Sequence, residues 1–165
     1  MGLSDVLKRV MRVPTAPSAE QLAEDRWQQA VAARDELACQ HVAFEHAQAQ
    51  RFAACLRCYE QLCQLFPERR GEWLRWMGQT LYISMHWREA DPAKQRALLE
   101  RALGCYFEAA PLGERSQEEN VLELCELLEK PEHVSRYLEL FPEGAHRERA
   151  QRLLRDLTPA GPRPS

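Results

Sequence analysis

Three cysteines, Cys55, Cys58 and Cys63, stand in a C-x2-C-x4-C spacing of the kind that can hold a metal ion. Cys55 and Cys58 share one helical face, but a structural zinc site takes four ligands, and no second Cys or His pair follows at a suitable distance. The stretch His41-Val42-Ala43-Phe44-Glu45-His46 has the residue types of a helical metalloprotease motif, in which two histidines one turn apart hold the ion beside a glutamate. Here they are five positions apart, about 140° around a helix, and cannot both face one ion. No metal and no cofactor are expected. An arrangement that would reopen enzyme chemistry is a deep polar pocket gathering His41, Glu45, His46 and a cysteine.

Nucleophilic catalysis finds no support either, since the chain has no nucleophile elbow, no glycine-rich phosphate loop and seven glycines in all. Seven glutamates fall between Glu114 and Glu132, yet they alternate with Val121, Leu124, Cys125 and Leu128, the pattern of an amphipathic helix with a solvated outer face. The chain is expected not to be an enzyme. Binding chemistry is better represented. Trp73, Trp76, Tyr82 and Trp87 crowd one helical stretch with Arg75, Gln79 and Arg88, and aromatic residues beside arginine suit a peptide-binding groove. A second, basic face collects Arg147, Arg149 and Arg152.

The elements that must position these residues are helical. The chain has 165 residues, 45% hydrophobic and 28% charged, which is enough for one buried core and globular in composition. No apolar run approaches the ~20 residues of a spanning helix, so no stable membrane insertion is expected. A net charge of -3 gives no general attraction to nucleic acid. Six cysteines without a secretory leader point to a reducing cytoplasm, with the thiols used as small buried hydrophobes.

MGLSDVLKRVMRV places Leu3, Val6, Leu7, Val10 and Met11 on one stripe and reads as a short amphipathic helix over residues 1–13, a docking element or a terminal helix packed on its own domain. Val6 stands where a myristoylation signal would have Ser or Thr. Residues 14–18, with Pro14 and Pro17, form a stiff linker. The body, residues 19–157, reads as seven helices. A long helix capped by Ser18 breaks near Glu45–Gln50, and a second runs from about Gln50 to Phe66. Helices follow from about Arg70 to Trp87 and, after an Asp91-Pro92 cap, from Ala93 to Ala110. Ser116 and Glu119 offer a capping box for Gln117–Leu128, Pro131 opens a short helix, and a last helix ends near Leu157. Residues 158–165 form a disordered tail.

The punctuation repeats. Leu65-Phe66-Pro67-Glu68 returns as Leu140-Phe141-Pro142-Glu143, each time after one amphipathic stretch and before another. The spacing Cys55-x3-Tyr59-x2-Leu62-x4-Pro67 resembles the second helix of a tetratricopeptide repeat and its closing proline. Trp73-x2-Trp76-Met77-x2-Thr80 or, one residue later, Leu74-x2-Met77-Gly78-x2-Leu81 takes the place of the next first helix. Ala102-x3-Tyr106-x2-Ala109, Val134-x2-Tyr137-x4-Pro142 and Ala23-x3-Trp27-x2-Ala30 are further, looser copies. This resemblance implies an all-α fold of antiparallel helix pairs stacked as a short α-solenoid. It also implies an adaptor or chaperone-like module that binds a peptide or helical segment of another protein. Trp73, Arg75, Trp76, Gln79 and Tyr82 are the expected groove residues, with Arg147, Arg149 and Arg152 as a second contact face. The alternative is a structural subunit of a homo- or hetero-oligomer, docked through its N-terminal helix.

Overall fold

The computed structural model describes residues 16–158, so the expectations for Leu3, Val6, Leu7, Val10 and Met11, for the first linker residues and for most of the tail lie outside the described residues. The described chain is all-α. Its helices are α1 (Ala19–Ala33), α2 (Glu36–Gln48), α3 (Phe52–Leu65), α4 (Arg70–Gln79), α5 (Pro92–Ala109), α6 (Glu118–Leu128), α7 (Pro131–Leu140) and α8 (Arg147–Leu157).

Local chemistry fixes most boundaries. Ser18 Oγ accepts the Gln21 amide at 3.1 Å while Gln21 Oε1 accepts the Ser18 amide at 2.8 Å, a reciprocal cap at the start of α1. Asp91 accepts the Ala93 amide at 2.9 Å and Pro92 opens α5, where its missing N–H costs nothing. Gln50, at φ 58°, marks the expected break before α3. A second break was not expected and divides the long first helix into α1 and α2. Arg34 adopts φ 51° and donates its amide back into the last turn of α1, and Asp35 accepts the Ala38 amide at 3.0 Å. The described body therefore has eight helices where seven are expected.

Two further boundaries differ from expectation. The Ser116–Glu119 box does not form, because α6 starts at Glu118 after a turn in which Gln117 accepts from Asn120 Nδ2 at 2.6 Å. The helix from Arg70 does not keep its pitch to Trp87. It turns π-helical over Thr80–Met85 and 3-10 over His86–Arg88, starting where the Thr80 hydroxyl donates to the Trp76 carbonyl at 2.9 Å and competes with the backbone ladder.

The recurring corner is the same corner. Phe66 (φ -131°, ψ 69°) and Phe141 (φ -123°, ψ 61°) close α3 and α7 in nearly equal backbone conformations, each donating its amide to the carbonyl four residues back. Proline then forbids continuation.

Packing follows chain order. Each helix buries its apolar stripe against the next, most extensively at α4–α5 and α2–α3. Helices two places apart are joined instead by polar links. On one side Trp27 Nε1 donates to Gln61, Arg101 pairs with Glu60 and Lys130 with Glu100, each at 2.7 Å, connecting α1, α3, α5 and α7. On the other, Arg69 pairs with Glu36 at 2.8 Å and Arg149 pairs with Glu126. The core holds Tyr59, Leu62, Trp73, Tyr106, Leu124 and Tyr137, all buried.

At the α4–α5 contact a Cβ on Gly78 would lie 2.8 Å from the Tyr106 ring, whereas one on Gly104 would meet nothing within 4 Å. Gly78→Ala is therefore expected to destabilise the protein by about 1–3 kcal/mol through overpacking. Gly104→Ala should stabilise it by about 0.5–1 kcal/mol through reduced chain entropy. Urea unfolding of the two variants beside the parent checks both signs.

Candidate functional site

The stacking rule leaves a slot. Because α2 and α4 both pack on α3 and are joined to each other mainly at their ends, an apolar cleft of about 400 Å³ opens between them. Leu37, Gln40, His41 and Phe44 of α2 form one wall, Trp76 of α4 the other, and Tyr59 of α3 the floor. Leu37 is 73% exposed and Phe44 51% exposed. Water therefore touches two large side chains whose remaining exposed surface would be worth about 1–2 kcal/mol each if it were covered.

Both ends of the cleft are tied. At one, the Arg69 guanidinium joins Glu36 of α2 to Glu72 of α4 and lies 4.9 Å above the Trp73 ring. At the other, Arg88 Nη1 donates to Gln50 Oε1 at 2.7 Å and stacks over Phe52 at 5.1 Å. The Trp76 wall is braced from behind by Arg75, whose guanidinium sits 4.3 Å over the indole and 3.3 Å from the Glu114 carboxylate. The indole N–H of Trp76 has no acceptor.

The expected site residues are divided by this geometry. Trp76 is half-buried and lines the groove, Arg75 acts as its brace, and Gln79, half-buried at the end of α4, is not among the lining side chains. Trp73 and Tyr82 are core residues, which corrects the expectation that they contact a partner. Trp73 is fully buried against Tyr59, with ring centroids 6.4 Å apart, and Tyr82 packs beside His86. The side chain of Trp87 lies outside the described atoms. Arg147, Arg149 and Arg152 are exposed on α8, several helices away from α2. Arg149 is engaged by Glu126, and Arg147 donates to the Pro142 carbonyl at 2.7 Å.

Leu37 and Phe44 were missed by sequence reasoning, although a signal for them exists. Along α2, Cys39, Val42, Ala43 and His46 form the buried stripe, while Leu37 and Phe44 recur seven apart on the opposite face. A helix apolar on two faces needs cover on both, and α1 and α3 cover only the face that carries Cys39, Val42, Ala43 and His46.

The pairing of His41, Glu45 and His46 required for catalysis does not occur. His41 is exposed by the groove, Glu45 is held by Arg26 at 2.6 Å, and His46 is buried toward α1 and α3. His46 lines a 70 Å³ cavity with Glu24, Arg57 and Cys58, too small for an organic substrate. Burial pushes the Cys58 thiol up to about 12 and the Cys105 thiol to about 11, so both are held in the protonated, unreactive form. Among the described residues no group of three or more His, Cys, Asp and Glu side chains is placed to hold a metal, and no helix is long and apolar enough to cross a membrane.

The chain matches no protein-family model, no curated protein and no solved structure. The functional reading accordingly rests on the geometry of the cleft.

His46 also makes acid stability testable. Burial lowers its pKa below the ordinary 6.5, with Arg51 acting in the same direction, and burial does the same to His133. Both are folded as neutral imidazoles, each with an unpartnered Nδ1. The unfolded chain binds more protons near and below pH 6.5, so the stability these groups allow is complete above that value and lost as pH falls through it. Melting temperature should drop between pH 7.5 and 5. A His46→Gln, His133→Gln variant should show a flatter profile over the same interval.

Proposed function

We propose that this chain is a non-enzymatic protein-interaction module, an adaptor or chaperone-like protein, whose α2–α4 cleft receives an apolar segment of a partner protein. One observation carries the reading: Leu37 and Phe44 stand exposed on a wall opposite Trp76, over a floor made by Tyr59. A helix or extended strand with large apolar side chains fits such a slot, entering it by the mode in which grooves between helices take peptides. Trp76, stiffened by Arg75, is the kind of aromatic anchor on which binding energy concentrates.

The tetratricopeptide-like reading of the stack supports the same conclusion. The small and aromatic residues that carry the resemblance, Ala23, Trp27, Cys55, Tyr59, Ala102 and Tyr106, are buried where paired helices meet. Of the two possible registers, Leu74-x2-Met77-Gly78-x2-Leu81 is favoured, since it puts the glycine against Tyr106. In such an array of antiparallel pairs α2 and α4 are first helices and line the binding face. A cytoplasmic location belongs to the proposal, supported by thiols used as packing rather than as crosslinks.

The experiment places a photo-crosslinking amino acid at Gln40, in the cleft, and separately at Gln64, on α3 away from it, and irradiates cells producing each protein. A partner joined through position 40 and not through position 64 is the expected result. Phe44→Ser added to the first protein should abolish that product while lowering the unfolding free energy by only about 1 kcal/mol, the share of the ring already buried in the free protein, so that the variant stays folded. Equal capture from both positions, or capture indifferent to Phe44→Ser, would remove the cleft from the proposal.

A further inference from the structure

A second cavity borders α4, and this one gathers sulfur. We infer that Cys63 of α3, Met77 of α4 and Cys105 of α5 form a binding site for a soft monovalent metal ion, of which Cu(I) is the representative. The site is independent of the α2–α4 cleft and of its reading as a partner site.

A cavity of about 530 Å³ opens between α3 and α5, over α4. Both helices pack on α4 and not extensively on each other, so Leu74 and Met77 of α4 form the floor of the space between them. Cys63 comes from the α3 wall and Cys105 from the α5 wall. Of the C-x2-C-x4-C stretch, Cys55 and Cys58 are buried in the core, whereas Cys63 is half-buried and lines this cavity. The three sulfurs belong to three helices, so no spacing in the sequence announces them.

The donor set selects the ion. Two thiolates and a thioether are soft ligands, which suit Cu(I). Structural zinc takes four ligands, and among the described residues no group of three or more His, Cys, Asp and Glu side chains is placed to supply them. A disulfide is a poorer use of the pair, since it needs Cα atoms about 4.4–6.8 Å apart and α3 and α5 are held apart by α4. A metal ion between two sulfurs extends the reach by two metal–sulfur bonds, each about 2.3 Å for an ion such as zinc.

Access and charge fit as well. Cys105 and Met77 are 8% and 7% exposed, sheltered from water without being sealed from it. Gly104 lines the same cavity, and a Cβ there would meet nothing within 4 Å, which leaves the approach open. Burial pushes the Cys105 thiol up to about 11 and raises that of Cys63, so both are protonated near neutrality. Cu(I) displaces the two thiol protons to solvent and leaves a dithiolate complex with one excess negative charge. Arg70 and Arg101 are placed to balance it, since Arg70 acts to lower the pKa of Cys63 and Arg101 that of Cys105. Their present partners, Glu108 and Glu60, each at 2.7 Å, belong to exposed pairs that hold the arginines weakly.

The test titrates the purified, reduced full chain, under exclusion of oxygen, with Cu(I) supplied as its bicinchoninate complex. One Cu(I) taken up per chain is expected, with thiolate-to-copper absorption in the ultraviolet and a shell of three sulfurs by X-ray absorption spectroscopy. Cys63→Ser and Cys105→Ala should each lose the ion, and Met77→Leu should leave a shell of two sulfurs. Met77→Leu conserves volume and Cys63 is only half-buried, so these two variants stay folded, which circular dichroism checks. Cys58→Ala should bind as the parent does. Copper retained by Cys63→Ser, copper lost from folded Cys58→Ala, or no copper taken from bicinchoninate would each overturn the inference. Zinc held as tightly as copper would overturn it too, by revealing a site of harder donors.

Discussion

The contact of Gly78 with the face of Tyr106 sets the depth at which α4 sits in the stack. With no side chain at that position, α4 and α5 approach closely enough for Tyr106 to fill the space between them. That depth carries Trp73, five residues earlier, into the core against Tyr59. It also leaves Trp76, two residues before Gly78, on the adjoining face. One tryptophan is consumed by the fold and the other becomes a wall of the cleft, and the glycine between Met77 and Gln79 decides which.

The cleft itself follows from a division of labour between apolar and polar contacts. Helices adjacent in sequence are joined by buried side chains, which supply the cohesion. Helices two places apart are joined by pairs such as Arg69–Glu36 and Arg101–Glu60. Exposed ion pairs of this kind are worth about 0–1 kcal/mol each, so they set spacing and contribute little stability. Between α2 and α4 the links stand at the two ends of the helices, and the middle is left to Leu37, Phe44 and Trp76. On the proposed reading, a slot held open at fixed width reduces the ordering cost of association.

Much of this was legible from residue types and spacing. The small and aromatic positions of the repeat-like pattern, from Ala23 and Trp27 through Ala102 and Tyr106 to Val134 and Tyr137, are buried. The paired Leu-Phe-Pro-Glu corners share one backbone conformation. What escaped did so for identifiable reasons. Arg34 ends α1 in a left-handed conformation that usually announces itself by glycine, and Asp35 supplies the cap without a proline beside it. The π-helical turn at Thr80 depends on a hydroxyl bonding back to Trp76, which leaves no trace in hydrophobic periodicity. Tyr82, expected in the groove, lies inside that turn and is buried, because helical phase is not carried through a π-helical stretch. Leu37 and Phe44 were overlooked because the buried stripe of α2 is complete without them.

The order in which the helices touch bears on how the protein is made and unmade. Most side-chain burial is between neighbours in sequence, so few contacts close long loops, and a chain of this design needs little search before native pairs meet. Helices can be added in the order they leave the ribosome, each finding its surface ready on the one before. The same locality weakens the ends relative to the middle. At α8 Ala150 is the fully buried side chain, so this helix opens at a smaller free-energy cost than α4 or α5, and its amide hydrogens exchange first while the centre of the stack stays closed.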